Sequence, residues 1–264
     1  MTPTQIAAAA LALTAGLAAP SAAADDPLVR ARLLYNEHRF DAALAAAEEA
    51  RLFPSKAQAA DLVAARAYLE RFRESAAPDD LTNARERFRR MSPASFAARE
   101  RGEYLVGLGE TLFFDEAFGA AADVFDSALR GLDLEADARD RVLDWWATAI
   151  DRDARPRPDA ERQAIYQRAC ARMQDELAVH PDSGAAAYWL AAASRAHGDL
   201  QGAWDAALAG WVRAPLAGQQ APALREDLDR LVVYGIIPER AKAAAGTVDT
   251  LKLQWDQFKE RWRP

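Results

Sequence analysis

The chain is predicted to be all-α, built from stacked helix hairpins and closed by a capping helical segment, on three observations. A small residue recurs at Ala43, Ala84, Ala121, Ala169 and Ala203, at separations of 41, 37, 48 and 34 residues, which is the period of a helical repeat array. Between the Pro- and Ser-rich breaks, apolar residues follow spacings of three and four, as on one face of an α-helix. No segment alternates apolar and polar residues as a half-buried strand does. One such hairpin cannot bury its apolar face alone, so neighbouring hairpins must stack.

The first segment sets the compartment. Ile6 to Ala19 is an uncharged, Ala/Leu-rich run, followed by Pro20-Ser21-Ala22-Ala23-Ala24 and two aspartates. An apolar stretch before a small-residue site reads as a secretory leader over residues 1–24, cleaved after Ala24. Met1 to Gln5 holds no Lys or Arg, so only the amino terminus supplies the expected positive charge. No later run approaches membrane length. The processed chain is therefore expected to be exported, periplasmic or secreted, with no stable span. No cysteine stands directly after the cut, where Asp25 and Asp26 lie, which argues against a lipid anchor there.

Residues 25–215 divide into about five helix pairs. The first contains His38-Arg39-Phe40-Asp41 and Ala43 and closes at Pro54. The second presents Leu62, Ala65, Leu69 and Phe72 on one face of Asp61 to Arg73, breaks at Pro78-Asp79-Asp80, and continues with Leu81, Ala84 and Phe88. Ser92-Pro93 starts the third, which runs through Leu108, Gly109, Leu112, Phe118, Ala121, Phe125 and Ala128. In the fourth, Val142, Trp145, Trp146 and Ala149 form one face. Arg152 to Asp159, with two prolines and no apolar anchor, is expected to be a mobile insertion. The apolar run Ile165, Tyr166, Ala169, Cys170 and Met173 follows. Pro181-Asp182-Ser183-Gly184 opens the fifth pair, which carries Leu190, Ala191, Gly198, Leu200, Ala203 and Pro215.

The third and fifth of these units resemble the tetratricopeptide repeat family, whose pattern places Leu-Gly and an aromatic on one helix, then Gly, an aromatic, Ala, Phe, Ala and a closing Pro. In the third, Glu116 replaces the turn glycine; in the first, Ala31 stands where the helix glycine belongs. The second and fourth carry extra residues between their helices, around Ser75 to Asp80 and Arg152 to Asp159. The resemblance implies a right-handed solenoid whose first helices line a concave groove for a protein or peptide partner. Carried over to this chain, the groove positions are Arg32, Tyr35 and Asn36 in the first unit, Val106, Glu110, Phe113 and Phe114 in the third, and Tyr188 and Arg195 in the fifth. Rings supply contact area and charges set direction, which suits an extended peptide or a partner's helix. Phe113 and Phe114 are equally suited to packing inside the array.

After Pro215 the pattern changes, and residues 216–264 are read as a C-terminal cap. Leu216 to Pro222 is expected to be a loop. Leu224, Leu228, Leu231 and Val232 then form a stripe ending at Gly235-Ile236-Ile237-Pro238. From Val248, the residues Leu251, Trp255, Phe258 and Trp262 recur at spacings of four, three and four, one face of a last helix. That face covers the open edge of the array, as solenoids require, docks a partner, or lies on a membrane surface, for which the opposite face, with Asp256 and Glu260 among Lys252, Lys259, Arg261 and Arg263, is only mildly basic.

Enzyme signatures are missing: there is no paired-His zinc helix, no phosphate loop ending in Gly-Lys-Ser/Thr, no nucleophile elbow and no Cys pair. No cofactor or metal is expected. Gly107-Leu108-Gly109 lacks the third glycine and the preceding strand of a dinucleotide site. His38, His180 and His197 fall at predicted helix ends, where imidazole meets terminal carbonyls. Cys170, the single cysteine, sits in an apolar run as a small hydrophobe. The chain is acidic, with net charge −7, and only four of its 33 basic residues are lysines; Arg and Ala richness points to a GC-rich, bacterial coding source. Arg85, Arg87, Arg89, Arg90, Arg99 and Arg101 are interrupted by Glu86, Glu100 and Glu103, so no nucleic-acid partner is expected. The function expected is a non-enzymatic interaction scaffold. The alternatives are a cell-envelope enzyme or accessory on a helical superhelix, and an oligomerising protein using the last helix.

Overall fold

The computed structural model describes residues 26–132, 134–243 and 247–263. The expected leader and its cleavage point lie outside the described residues. Within them, all regular structure is helical. The helices come in adjacent pairs: α1 (Pro27–Asn36) with α2 (Phe40–Arg51), α3 (Ala57–Ser75) with α4 (Pro78–Arg90), α5 (Ala98–Phe114) with α6 (Phe118–Gly131), α7 (Ala136–Ala154) with α8 (Asp159–Val179), and α9 (Gly184–His197) with α10 (Leu200–Arg213). Beyond them lie α11 (Ala221–Leu231), α12 (Ile237–Ala243) and α13 (Val248–Arg261).

The five small residues that define the period are all buried, from Ala43 to Ala203. Phe40, Leu81, Phe88, Phe125 and Met173 fill the spaces beside them. Each even-numbered helix from α2 to α10 touches the odd-numbered helix before and after it, and each odd-numbered helix up to α9 also touches the next odd one. The core follows the chain in consecutive clusters. One joins α1 to α3 around Phe40, Leu44 and Val63; a second joins α3 to α5 around Leu69, Phe88 and Tyr104; the third extends from α6 to α13.

The turn inside a pair repeats at the level of single hydrogen bonds. After α1, His38 N–H donates to the Tyr35 carbonyl and Arg39 N–H to that of Leu34. After α5, Glu116 donates to Phe113 and Ala117 to Leu112; after α9, Gly198 donates to Arg195 and Asp199 to Ser194. This is the Schellman arrangement, which needs a left-handed residue at its centre. Only Gly198 takes that conformation freely; His38 (φ 58°) and Glu116 (φ 61°) hold it despite a Cβ.

Two expected insertions are absorbed into helices. Only Ala76 and Ala77 separate α3 from α4, and residues 155–158 separate α7 from α8. The extra residues lengthen α3 and α7 to 19 residues each and α8 to 21. Arg157 anchors the second turn by donating to both Asp153 carboxylate oxygens, at 2.9 and 3.1 Å, so the mobile insertion expected over Arg152 to Asp159 is a tight turn between long helices. Those helices are joined by Arg139, which donates bidentately to Glu176 on α8 and also, at 3.2 Å, to the Leu129 carbonyl on α6. Burial opposes ionisation of Glu176, and the Arg139 hydrogen bonds overcome it, holding the carboxyl below its ordinary range.

The C-terminal segment also departs from expectation. Residues 214–220 form a 3₁₀ turn kinked at Gly218, where a loop was expected. The helix does not stop at Gly235: α11 passes through a π-turn over residues 232–236 into α12. Pro238 explains the turn. Its ring would clash with the Tyr234 carbonyl in a regular helix, and the wider turn, with Ile237 N–H donating to the Val232 carbonyl, makes room.

Candidate functional site

The odd-numbered helices bring a mixed aromatic and charged patch together on one side of the chain. It begins at Tyr35 on α1, whose hydroxyl donates to Glu70 on α3 at 3.2 Å. The Arg66 guanidinium lies 4.4 Å from the centre of the Tyr35 ring, close enough for a cation–π contact. Burial pushes the Tyr35 hydroxyl up to about 12. From the same α3 face, Arg66 reaches Glu103 on α5 at 2.8 Å, and Arg73 holds Glu70 at 3.1 Å. Arg32 on α1 spans to Glu100 on α5 at 2.6 Å.

Glu110 on α5 lies in the middle of this patch. Its side chain is only 12% exposed, and its nearest guanidinium, Arg73, is 3.9 Å away, beyond hydrogen-bonding reach. Burial raises its carboxyl to about 7; Arg73 and Arg66 pull downward, and Glu70 adds to the rise. Beyond Glu110, Phe113 and Phe114 meet Trp145 on α7, with ring centres 4.9 and 5.8 Å apart, and Phe114 meets Phe72 on α3 at 5.0 Å. The Arg73 guanidinium lies 5.5 Å from the Trp145 ring.

The expected groove residues divide into two groups. Arg32, Tyr35, Glu110, Phe113 and Phe114 are gathered by α1, α5 and the intervening α3. Asn36 is exposed at the end of α1, and Val106 is half-buried against the large core cluster. Phe113 and Phe114 are half-buried, with ring edges inside the aromatic cluster, so each is both packing and surface. Tyr188 and Arg195 form a separate group on α9. Tyr188 sits beside Trp189, whose indole donates to Asp144 on α7 at 2.7 Å. Burial, then Asp227, Asp144 and Asp151, raise the Tyr188 hydroxyl. Arg195 donates to Glu239 at 2.5 Å across Gly235, where a Cβ would come within 2.9 Å of the guanidinium carbon.

Sequence reasoning missed Arg66, Glu70 and Arg73 because the second unit matches the repeat pattern poorly. A signal was nonetheless present: the three stand at spacings of four and three, on a charged stripe of α3 about a quarter turn from its apolar stripe. Gly107 and Gly109 serve packing. A Cβ on Gly107 would lie 2.5 Å from the Phe88 ring, and one on Gly109 2.6 Å from the Phe125 ring.

Elsewhere the candidate residues have structural partners. Arg85 pairs with Asp115, Arg87 with Asp61 and Glu48, Arg89 and Arg90 with Glu86, and Arg99 with Glu103, while Arg101 donates to the Phe96 carbonyl. Cys170 is half-buried, 3.6 Å from the Ser194 hydroxyl, and burial raises its thiol, the opposite of a reactive cysteine. On α13, Trp255 is fully buried. Its ring meets those of Trp204 and Trp211 and its indole donates to Asp229 at 2.8 Å. Trp255 therefore cannot dock a partner in this structure. Leu251 and Phe258 are half-buried beside it, and Trp262 is exposed.

No described helix is long and apolar enough to cross a membrane. No family model, no curated protein and no solved structure matches the chain.

Proposed function

We propose that this chain is an exported, right-handed solenoid of tetratricopeptide type. It binds an extended peptide or a helix of a protein partner in the groove formed by its odd-numbered helices, and α13 caps its end. The contacts between successive odd-numbered helices and the recurring Schellman turns support the architecture. The binding role rests on one observation: side chains from α1, α3, α5 and α7 converge in a single patch of rings and opposed charges. Such a patch offers contact area with little rotamer entropy to lose and charges that select direction. The role requires no catalytic group, and none is assigned.

The test places a photo-crosslinking amino acid at Asn36 or Tyr188 on the groove side, or at Asp123 on the exposed side of α6, in protein produced in its native envelope. Discrete adducts from the first two positions and none from Asp123 are expected, on a polypeptide whose first residue is Asp25. Equal labelling from all three positions, or none from the groove, overturns the binding role. Retention of residues 1–24 in the mature protein overturns export by cleavage.

A further inference from the structure

We infer that Glu110 is the acceptor for a cationic side chain, lysine or arginine, of the bound peptide, an inference that rests on the peptide-binding reading above. The argument begins with charge balance. The groups that act on Glu110 are Tyr35 from α1 and Arg66, Glu70 and Arg73 from α3; Glu103, two turns earlier on α5, pairs with Arg66, and the uncharged Trp145 from α7 lies against Arg73. The two guanidiniums direct their hydrogen bonds to other carboxylates: Arg66 to Glu103 at 2.8 Å and Arg73 to Glu70 at 3.1 and 3.2 Å. Exposed Arg99 adds a further pair to Glu103 at 3.2 Å. Two guanidiniums thus share Glu103, and Glu110 is left as the one of the three carboxylates without a hydrogen-bonded guanidinium, none lying nearer than 3.9 Å.

A largely buried carboxylate without a hydrogen bond is costly when ionised. It is relieved by taking up a proton or by gaining a donor. Burial raises the group to about 7, so in the free protein the neutral form prevails below that pH and the costly ionised form above it. The residual 12% exposure leaves a route for a donor from outside. The Tyr35 and Trp145 rings of the same patch already carry the Arg66 and Arg73 guanidiniums, at 4.4 and 5.5 Å, which shows that these aromatic faces accept cations. A lysine or arginine entering there makes a desolvated, charge-assisted hydrogen bond that a surface pair cannot match. Below about pH 7 its binding displaces the proton from Glu110, and above it the cation meets a carboxylate already ionised.

The experiment selects random displayed peptides on the immobilised protein at pH 8 and pH 5, and on Glu110→Gln at pH 8 after circular dichroism confirms its fold. At pH 8 the wild-type protein is expected to enrich Lys or Arg at one fixed position by on the order of tenfold. That preference should fall to library frequency in Glu110→Gln and, for wild type, at pH 5, while enrichment at aromatic and apolar positions persists. Enrichment without a basic position, or a basic preference kept in Glu110→Gln, overturns the Glu110 assignment and leaves the groove standing. No enrichment under any condition overturns both. If Glu110→Gln does not fold, the two wild-type selections decide, and an unchanged basic preference between pH 8 and pH 5 overturns the assignment.

Discussion

Glu110 titrates near 4.5 in an unfolded chain and near 7 in the folded one, so between those values the folded state holds the proton more tightly. This group's effect on stability is absent below pH 4.5; it becomes an increasing penalty as pH rises and is complete above pH 7. Glu110→Gln should therefore melt like wild type at pH 4 and be more stable at pH 8, by up to roughly 3 kcal/mol. The same difference at both pH values in thermal melts would show that the penalty does not come from ionisation. Gly109 makes a second prediction, in which two effects compete. Alanine gains about 1 kcal/mol of helix propensity, but its Cβ would meet three atoms of the fully buried Phe125 ring between 2.6 and 2.9 Å, and overpacking costs about 1–3 kcal/mol. Gly109→Ala should be destabilising in urea titration. Gly131→Ala, with nothing within 4 Å of its Cβ, should be neutral or stabilising. Tyr35 and Glu110 were singled out through the repeat resemblance of their units, and the structure brings both into one patch. The pairing of Arg66 with Glu103 was not legible, because it joins two helices whose partners stand 37 positions apart.

Helix ends and helix pairs carry the next level. Glu116 is exposed and holds a left-handed conformation at the centre of the α5–α6 turn. Since that conformation costs a Cβ-bearing residue roughly 1–2 kcal/mol and glycine adds unfolded-state entropy of about half that, Glu116→Gly should raise stability by about 0.5–1 kcal/mol. A lowered melting temperature would mean the side chain contributes something its surroundings do not show. Between α7 and α8, Arg139→Ala strands Glu176, whose side chain is 4% exposed. A loss of about 3 kcal/mol is expected, the low end for a broken buried pair because Arg172 and His180 remain 3.9 and 3.8 Å away. Replacing both partners, Arg139→Met with Glu176→Leu, should recover most of that loss. A double variant as unstable as the sum of the two single ones would contradict the pairing account. At this scale the sequence marked the breaks well and misjudged what filled them. Proline and charge at Arg152 to Asp159 resemble a loop locally, yet Pro158 occupies the position just before α8, where its missing N–H is harmless.

For the molecule as a whole, the decisive feature is how the array ends. An apolar stripe with two tryptophans reads the same whether it faces a partner or the chain's own core. The structure buries Trp255 against Trp204 and Trp211 and ties Lys259 to Asp229 at 2.6 Å. Removing residues 248–263 should therefore uncover the α10–α11 surface, lower the melting temperature and raise binding of a hydrophobic dye. Trp255→Ala alone should cost about 3–5 kcal/mol. A truncated chain as stable as the full one would mean that α13 is not a cap.

The sequence by itself determined the helical class, the pairing of helices and the buried alanines, because these depend on residue spacing within one or two turns and on size. Tertiary structure alone decided the length of α7 and α8, the π-turn before Pro238, the burial of Trp255 and the carboxylate left without a hydrogen-bonded guanidinium at Glu110. Each of these depends on which distant side chain arrives to fill a space or accept a proton, and spacing along a single helix carries no record of that neighbour.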